Sequence, residues 1–483
     1  MKNEKNTVKS AILIFIALAV GIIAWCVPTS FYGIPGLTIV EQRVISIFLF
    51  SALMWIFDAV PSWATSLLII TLMLLTISDS SFGFMLQNDG AREMGTLLSY
   101  KSIMATFADP IILLFLGGFV LAIGASKTGL DMYLAESILK LFGNKSNNVL
   151  MGFILVTAVF SMFISNTATA AMMLSFMAPV LKSLPNDGKG RIGLVLAIPV
   201  GANIGGIGTP IGTPPNAIAL KYLNDPAGLN LNIGFGEWAS IMIPFVIVLL
   251  AIAWFILTKI FPFKQKTINL DLKSNVKMNK DTYIVAITFI VTVFLWMFDK
   301  VTGVKANVVA LIPVTVFALT GVLGEKDLPK INWSVLWMVA GGFALGLAFN
   351  GTGLAKDIIS AIPFAQWSPL IVMVVAGLIC WLLSNFISNT ATAALMVPIL
   401  TAVGMGMGDA LIPIGGIKTL LFAVALSASL AMLLPISTPP NAIAHSTGLI
   451  EQKNMMKMGL IVGAIGLTLA YLMLIVFGRC GIL

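Results

Sequence analysis

Uncharged amide and hydroxyl side chains beside proline-broken backbone are the chemistry this chain writes twice. Ile164-Ser165-Asn166-Thr167-Ala168-Thr169-Ala170-Ala171 recurs letter for letter as Ile387-Ser388-Asn389-Thr390-Ala391-Thr392-Ala393-Ala394. Downstream, Thr213-Pro214-Pro215-Asn216-Ala217-Ile218-Ala219 recurs as Thr438-Pro439-Pro440-Asn441-Ala442-Ile443-Ala444. Asn and Thr both donate and accept hydrogen bonds without carrying charge. At the tip of a helical hairpin they stand beside the open N–H groups of the returning helix. Those groups, with the helix dipole, hold a carboxylate without a fixed cation. Two opposed tips, around Asn166-Thr167 and Asn389-Thr390, would hold the two ends of a dianion.

The prolines explain how a helix can be interrupted nearby. Pro214-Pro215 and Pro439-Pro440 remove backbone donors and disfavour helix through the preceding residue. The carbonyls of Gly212-Thr213 and Ser437-Thr438 are thereby left open. With the hydroxyls of Ser165 and Ser388 they are oxygen ligands suited to a small hard cation such as sodium. One clamp would pair the first tip with the first break, the other the second tip with the second break. A single Ser-Asn-Thr in an apolar helix usually bonds a neighbouring helix, and a single Pro-Pro is often a kink. Duplication of both, in order and at matched spacing, argues for a site. Gly117-Gly118-Phe119 returns as Gly341-Gly342-Phe343 and reads as close packing between helices.

The elements that carry these motifs are apolar. The 483 residues are 58% hydrophobic and 10% charged, with mean hydropathy +1.01. Soluble domains carry roughly 25% charged residues. The net charge of +8 lies between apolar runs, which indicates membrane topology rather than nucleic-acid binding. Cys26, Cys380 and Cys480 form no spaced set, and with one histidine no disulfide framework or histidine metal centre is expected. The apolar runs carry no mid-span acid, and Asp58, Asp109 and Asp299 fall near run ends. That disfavours a carboxylate proton relay. There is no Walker loop and no acid pair for a protease.

The patterning predicts an all-α membrane protein with about eleven spans. They are expected at 11–27, 41–58, 62–79, 110–127, 192–222, 238–262, 282–299, 306–323, 333–349, 416–446 and 457–477, the first being a membrane helix rather than a signal peptide. The stretches 148–184 and 369–404 carry their polar motifs near the middle. Polar backbone at membrane depth survives only when buried in protein or lining a cavity, so each is drawn as a re-entrant hairpin. Basic residues support that drawing. Lys2, Lys5 and Lys9 put the amino terminus in the cytoplasm, and Lys140, Lys145, Lys182, Lys189, Arg191 and the lysine-rich loop 263–281 then fall on the same side. The connector 223–237, with Asp225, Glu237 and no Lys or Arg, falls outside. The second hairpin opens from the opposite face, so the halves are inverted. The connectors 128–147 and 80–109 are read as loops. Inverted halves with repeated polar breaks are the pattern of a secondary transporter.

Two basic residues follow the breaks. His445, four after Asn441, falls about 6 Å further along the same helix face. Lys221, five after Asn216, falls on another face near the outer end. Each is read either as a packing or snorkelling residue or as a positive charge standing in for sodium.

At these motifs, and at Asp58-Ala59-Val60-Pro61, the chain resembles the divalent anion–sodium symporter family, which includes dicarboxylate, citrate and sulfate carriers. The resemblance implies two re-entrant hairpins, a homodimer and an elevator-like transport domain moving against a scaffold. Scaffold-type helices would occupy 1–127 and, after the linker, 263–368; the transport part would occupy 128–262 and 369–483. It implies sodium held by Ser165, Asn166 and Gly212, and by Ser388, Asn389 and Ser437, assisted by Ser161 and Ser384. Asn166, Thr167, Thr213, Pro214, Asn389, Thr390, Thr438 and Pro439 would surround the substrate. The expected activity is carriage of C4–C5 dicarboxylates such as succinate, malate or 2-oxoglutarate across the plasma membrane. His445 leans this toward exchange; sodium-coupled uptake of dicarboxylate or citrate is the alternative and an anion channel a remote one. The missing nucleophile–base pair argues against an enzyme.

Overall fold

A computed structural model describes residues 2–87, 92–185, 188–226, 228–268 and 278–483, and among them no β-strand occurs. The main helices are α1 Lys2–Cys26, α2 Ile39–Phe57, α3 Ser62–Thr76, α4 Pro110–Thr128, α5 Leu130–Lys140, α6 Ser146–Phe163, α7 Asn166–Lys182, α8 Lys189–Gly205, α9 Pro214–Leu223 and α10 Phe235–Ile260. The second half follows with α11 Lys280–Met297, α12 Leu311–Thr320, α13 Trp333–Thr352, α14 Pro369–Phe386, α15 Asn389–Met407, α16 Gly416–Ser429, α17 Pro439–Ser446 and α18 Gln452–Arg479.

Among the described residues, eleven helices are long and apolar enough to cross a membrane. They are not the same eleven that the sequence suggests. The helices at 62–76, 306–320 and 416–429 are shorter, whereas both arms of the second hairpin and the first arm of the first meet the length. Apolar run length misleads where a run contains a break. The run 416–446 stops as helix at Ser429 and restarts at Pro439. The connector 128–147 is not a loop: after left-handed Gly129 it forms α5, which turns Leu130, Ala135 and Leu139 inward and carries a Glu136–Lys140 ion pair at 2.5 Å. The connector 80–109 contains a short helix, Tyr100–Ala105. Of the lysine-rich loop, Lys264, Lys266 and Lys280 are described, while Lys273 and Lys277 lie outside the described residues.

Both predicted hairpins are helix–turn–helix units. Ile164 is extended (φ −118°, ψ 150°) and ends α6; Ser165 Oγ then accepts the Ala168 N–H at 3.3 Å and starts α7. Ile387 is likewise extended (φ −119°, ψ 171°), and Ser388 Oγ accepts the Ala391 N–H at 3.1 Å. A serine at this position satisfies an N–H that the helix cannot. The first tip bonds α8 at Ala202, which lies about 20 Å along the helix from Lys189. Beyond it the chain breaks and continues for the ten residues of α9. The tip therefore stands part-way along a span, as a dipping hairpin requires.

The repeats are interlocked. After its break, α9 packs on α15 and α16 of the second half, while α17 packs on α7 and α8 of the first. Around them, α4 packs on α11 and α12, and α13 on α3 and α15. The glycine pairs sit at these contacts. Gly117 faces the Ala310 backbone, and a Cβ on Gly341 would lie 2.5 Å from Ser66 Cβ. Their neighbours face the repeated elements: Gly118 meets Ile211 of the first break, and Gly342 meets Ala394 of the second hairpin.

Candidate functional site

One polar lock is built twice. Ser161 Oγ donates to Asn166 Oδ1 at 2.5 Å, and the Ala202 carbonyl lies 2.8 Å from the same hydroxyl. In the second half, Ser384 Oγ donates to Asn389 Oδ1 at 2.7 Å and lies 3.0 Å from the Ala428 carbonyl. Each serine sits one turn ahead of its motif and ties hairpin to broken helix. A hydroxyl has a single proton, so one of its two contacts is made by that proton and the other is a close approach of oxygens. Crowded neutral oxygens of this kind are a donor set for a hard monovalent cation.

The breaks are held open by asparagine. Asn216 Nδ2 donates to the carbonyls of Gly206 (3.1 Å), Ile207 (3.2 Å) and Thr209 (2.8 Å). Asn441 Nδ2 donates to those of Met432 (2.8 Å) and Leu434 (3.0 Å). The last residue of Thr-Pro-Pro-Asn thus takes up carbonyls that helix breaking exposes. Trp238 Nε1 adds a bond to Ile207 O at 3.2 Å, and Thr209 Oγ1 donates to Met162 O.

The first clamp is lined by glycine. A Cβ on Gly206 would sit 2.7 Å from Asn166 Oδ1 and 3.0 Å from the Gly212 carbonyl, and a Cβ on Gly212 would overlap the Gly206 backbone. Gly206 therefore lies against both Asn166 and Gly212. The second clamp has serine instead: Ser437 Oγ lies 2.9 Å from the Asn385 carbonyl and accepts the Leu434 N–H at 2.9 Å, while Asn385 Oδ1 accepts the Leu433 N–H at 2.8 Å. Among the described residues no group of three or more His, Cys, Asp or Glu stands close enough to hold a metal. The donors present suit sodium rather than a transition metal.

The two sites touch. Asn203, the residue after Ala202, donates from Nδ2 to Thr438 Oγ1 and to Asn441 Oδ1, each at 3.2 Å. Thr438 Oγ1 also accepts the Asn441 N–H at 3.3 Å. The duplicated segments therefore meet through α8, whose Ala202 carbonyl serves the first lock and whose Asn203 amide braces the second break.

Other predicted residues take distinct places. Thr213 and Thr438 are buried, Pro214 is half-buried and Pro439 exposed. Thr167 is exposed whereas its equivalent Thr390 is buried. Ser165 lines a cavity of about 410 Å³ with Ala168, Phe119, Lys127 and Lys330. Ser388 instead lies 3.8 Å from the Met338 sulfur of α13. Lys221 does not stand free near the first break: its Nζ is 2.8 Å from Asp109 Oδ2 and 5.9 Å from the Phe343 ring centre. His445 is half-buried in the last turn of α17. The sequence reading passed over Asn203 and Asn385. Asn203 is a lone amide inside an apolar run, the signal that would have exposed it, whereas Asn385 stands four residues before Asn389 and is overshadowed by the motif.

Residues 52–415 match the CitMHS family, described as citrate transporter. An uncharacterised transporter of Haemophilus influenzae is 34% identical over 389 residues, covering 76% of this chain and 81% of that protein. The sodium-dependent dicarboxylate transporter SdcS of Staphylococcus saprophyticus is 31% identical over 470 residues, covering 89% of this chain and 84% of its own length. SdcS of Staphylococcus aureus is 30% identical over 476 residues, covering 90% and 86%. Among solved structures, MtrF of Neisseria gonorrhoeae, described with a class of antimetabolite efflux pumps, aligns with a TM-score of 0.55 at 13% identity, over 90% of this chain and 97% of its own. The YdaH transporter of Alcanivorax borkumensis aligns at 0.56 with 11% identity, over 87% and 99%. At those identities the likeness concerns the fold alone.

Proposed function

The chain belongs to the citrate transporter family, and from that premise we propose that it carries C4–C5 dicarboxylates such as succinate, malate or 2-oxoglutarate by an elevator motion. It is a membrane transporter and not an enzyme. The observation that carries the substrate reading is the contact of two uncharged, duplicated clamps through Asn203. Open N–H groups at two helix starts, around Asn166-Thr167 and Asn389-Thr390, suit the two carboxylates of a dianion. Citrate and sulfate are the competing cargoes.

The proposed coupling ion is sodium, held at Ser161, Ser165, Asn166 and Gly212 and at Ser384, Ser388, Asn389 and Ser437. The crowded oxygens at Ser161 and Ser384 support this, and so do relatives named sodium-dependent. Bound cations would offset the dianion's charge beside clamps whose own side chains are uncharged. A second reading, exchange of one dicarboxylate for another, is favoured by His445, one turn beyond Asn441 on α17. In both readings the hairpins and broken helices move as the transport part against a scaffold that includes α4 and α13, within a homodimer of the plasma membrane. The amino terminus and the lysine-bearing loops are assigned to the cytoplasm.

Counterflow in proteoliposomes tests the assignment. Labelled succinate should accumulate against unlabelled internal succinate, and external malate should compete. Uptake into empty liposomes driven by a sodium gradient supports symport. A strict need for internal dicarboxylate supports exchange. Uptake indifferent to all unlabelled dicarboxylates refutes the substrate reading.

A further inference from the structure

The cavity that reaches the first hairpin tip has a charged mouth on the face assigned to the cytoplasm. Its inner end is Ser165 and Ala168; along its wall run Phe119, Ala122, Ile123 and Ser126 of α4; its rim carries Lys127, Lys330 and Asn332. From Phe119 to Lys127 the wall is about 12 Å long. At the rim, Asp327 Oδ2 lies 2.6 Å from Lys127 Nζ and Oδ1 lies 2.8 Å from Lys330 Nζ. The Gly324 N–H adds a third bond at 3.0 Å. Asp327 is buried, its side chain 5% exposed, whereas those of Lys127 and Lys330 are 41% and 59% exposed. Hydrogen bonds from Lys127 and Lys330 hold the Asp327 carboxyl well below the usual carboxylate range, so it stays charged at neutral pH.

The count of charges decides the sign at the rim. Two ammonium groups share one carboxylate, and Glu325 and Lys326 of the same turn offset each other. The rim keeps one surplus positive charge, and it is the lysines that face outward. A cleft with low-dielectric walls concentrates such a field and raises the local concentration of the opposite charge. Lys127 and Asp327 lie 200 residues apart in the chain, and the carboxylate fixes both lysine heads at the opening.

We propose that Lys127 and Lys330, held by Asp327, form a cytoplasmic collector that draws the dianionic cargo to the first hairpin tip and sets the affinity of the inner face. This deepens the transport reading and rests on it. The collector acts on approach and stays in the wall when the tip moves, so its effect belongs to one face of the membrane. An ordinary structural ion pair has no such sidedness.

The test measures uptake into inside-out and right-side-out vesicles of cells expressing the whole chain, with labelled succinate, citrate and sulfate as cargoes. Lys127→Gln with Lys330→Gln should raise KM at the inner face about fourfold at low ionic strength, an effect that high salt erases, and leave KM at the outer face unchanged. Asp327→Asn should do the reverse and lower the inner KM. Arginine at both lysine positions should restore the wild-type inner KM. Unchanged inner KM in the double glutamine variant overturns the proposal, as does any result in which lysine and aspartate variants shift KM in the same direction. If sulfate is carried in place of succinate and the inner-face shift is seen, the dicarboxylate reading fails and the collector stands. If none of the three cargoes is carried, both fail.

Discussion

The two clamps share a lock and differ in everything around it. Each has a serine one turn ahead, an asparagine at the helix start and an alanine carbonyl across the break. The first is lined by Gly206 and Gly212, has Thr167 exposed at its tip, and opens to the inner cavity at Ser165. The second carries Ser437 bonded to Asn385, has Thr390 buried, and rests its tip on α13. The equivalent carbonyls of Ala202 and Ala428 put the next residues, Asn203 and Ser429, in equivalent places. Asn203 reaches the second break, whereas Ser429 Oγ and Asn216 Oδ1 are both buried without a partner among the described residues. Duplication has thus kept the lock and let the bracing diverge: Asn203 ties the first half to the second break, while Gly206 and Gly212 line the first.

The shared lock gives the largest expected effect. Asn166→Ala and Asn389→Ala should each cut transport by roughly 10- to 100-fold, the cost of unpairing a buried polar group, with the folded protein retained on size exclusion. Near-normal uptake in one of them would mean that the clamps are not functional equals. The lining should respond unequally. Gly212→Ala drives a Cβ into the Gly206 backbone and should lower apparent sodium affinity by about 10-fold, whereas Ser437→Ala removes a hydroxyl and should lower it by about 3-fold or less. Equal losses would erase the contrast. The brace comes next: Asn203→Ala leaves Asn441 Oδ1 without its donor and should cost about 1–3 kcal/mol, read as a lower midpoint in thermal unfolding. Ser429→Asn, which supplies the missing brace, should raise that midpoint by the equivalent of about 1 kcal/mol. The smallest effect belongs to His445→Gln, which under the sodium reading should leave sodium dependence within about twofold; a new requirement for internal dicarboxylate would favour exchange.

Much of this was legible in the letters. The hairpins followed from polar motifs stranded in apolar runs, and the breaks from Pro214-Pro215 and Pro439-Pro440, because both are local effects of backbone chemistry. The serines at 161 and 384 were found through the family resemblance, and the structure puts them against Asn166 and Asn389. What the letters hid was long-range. Asn203 and Thr438 are joined across 235 residues, and nothing near either residue announces the other. The seating of each broken helix on the opposite repeat was hidden for the same reason. The helix Leu130–Lys140 was missed because its charged face resembles a solvated connector and its apolar face is short. Lys221, whose position alone fits either a snorkelling lysine or a stand-in charge, is paired with Asp109 at the start of a different helix.

The doubled glycines carry one more consequence. At each pair, one residue abuts a neighbour outside the repeated motifs, Ala310 or Ser66, and the next abuts Ile211 or Ala394 of the duplicated segments. Where Gly118 and Gly342 stand there are no knobs to mesh with holes. Any travel of the duplicated segments past these points is a glide over bare backbone and need not lift one cog over another. A bulky side chain at either position would behave as a pawl, arresting any such travel while both clamps stayed whole.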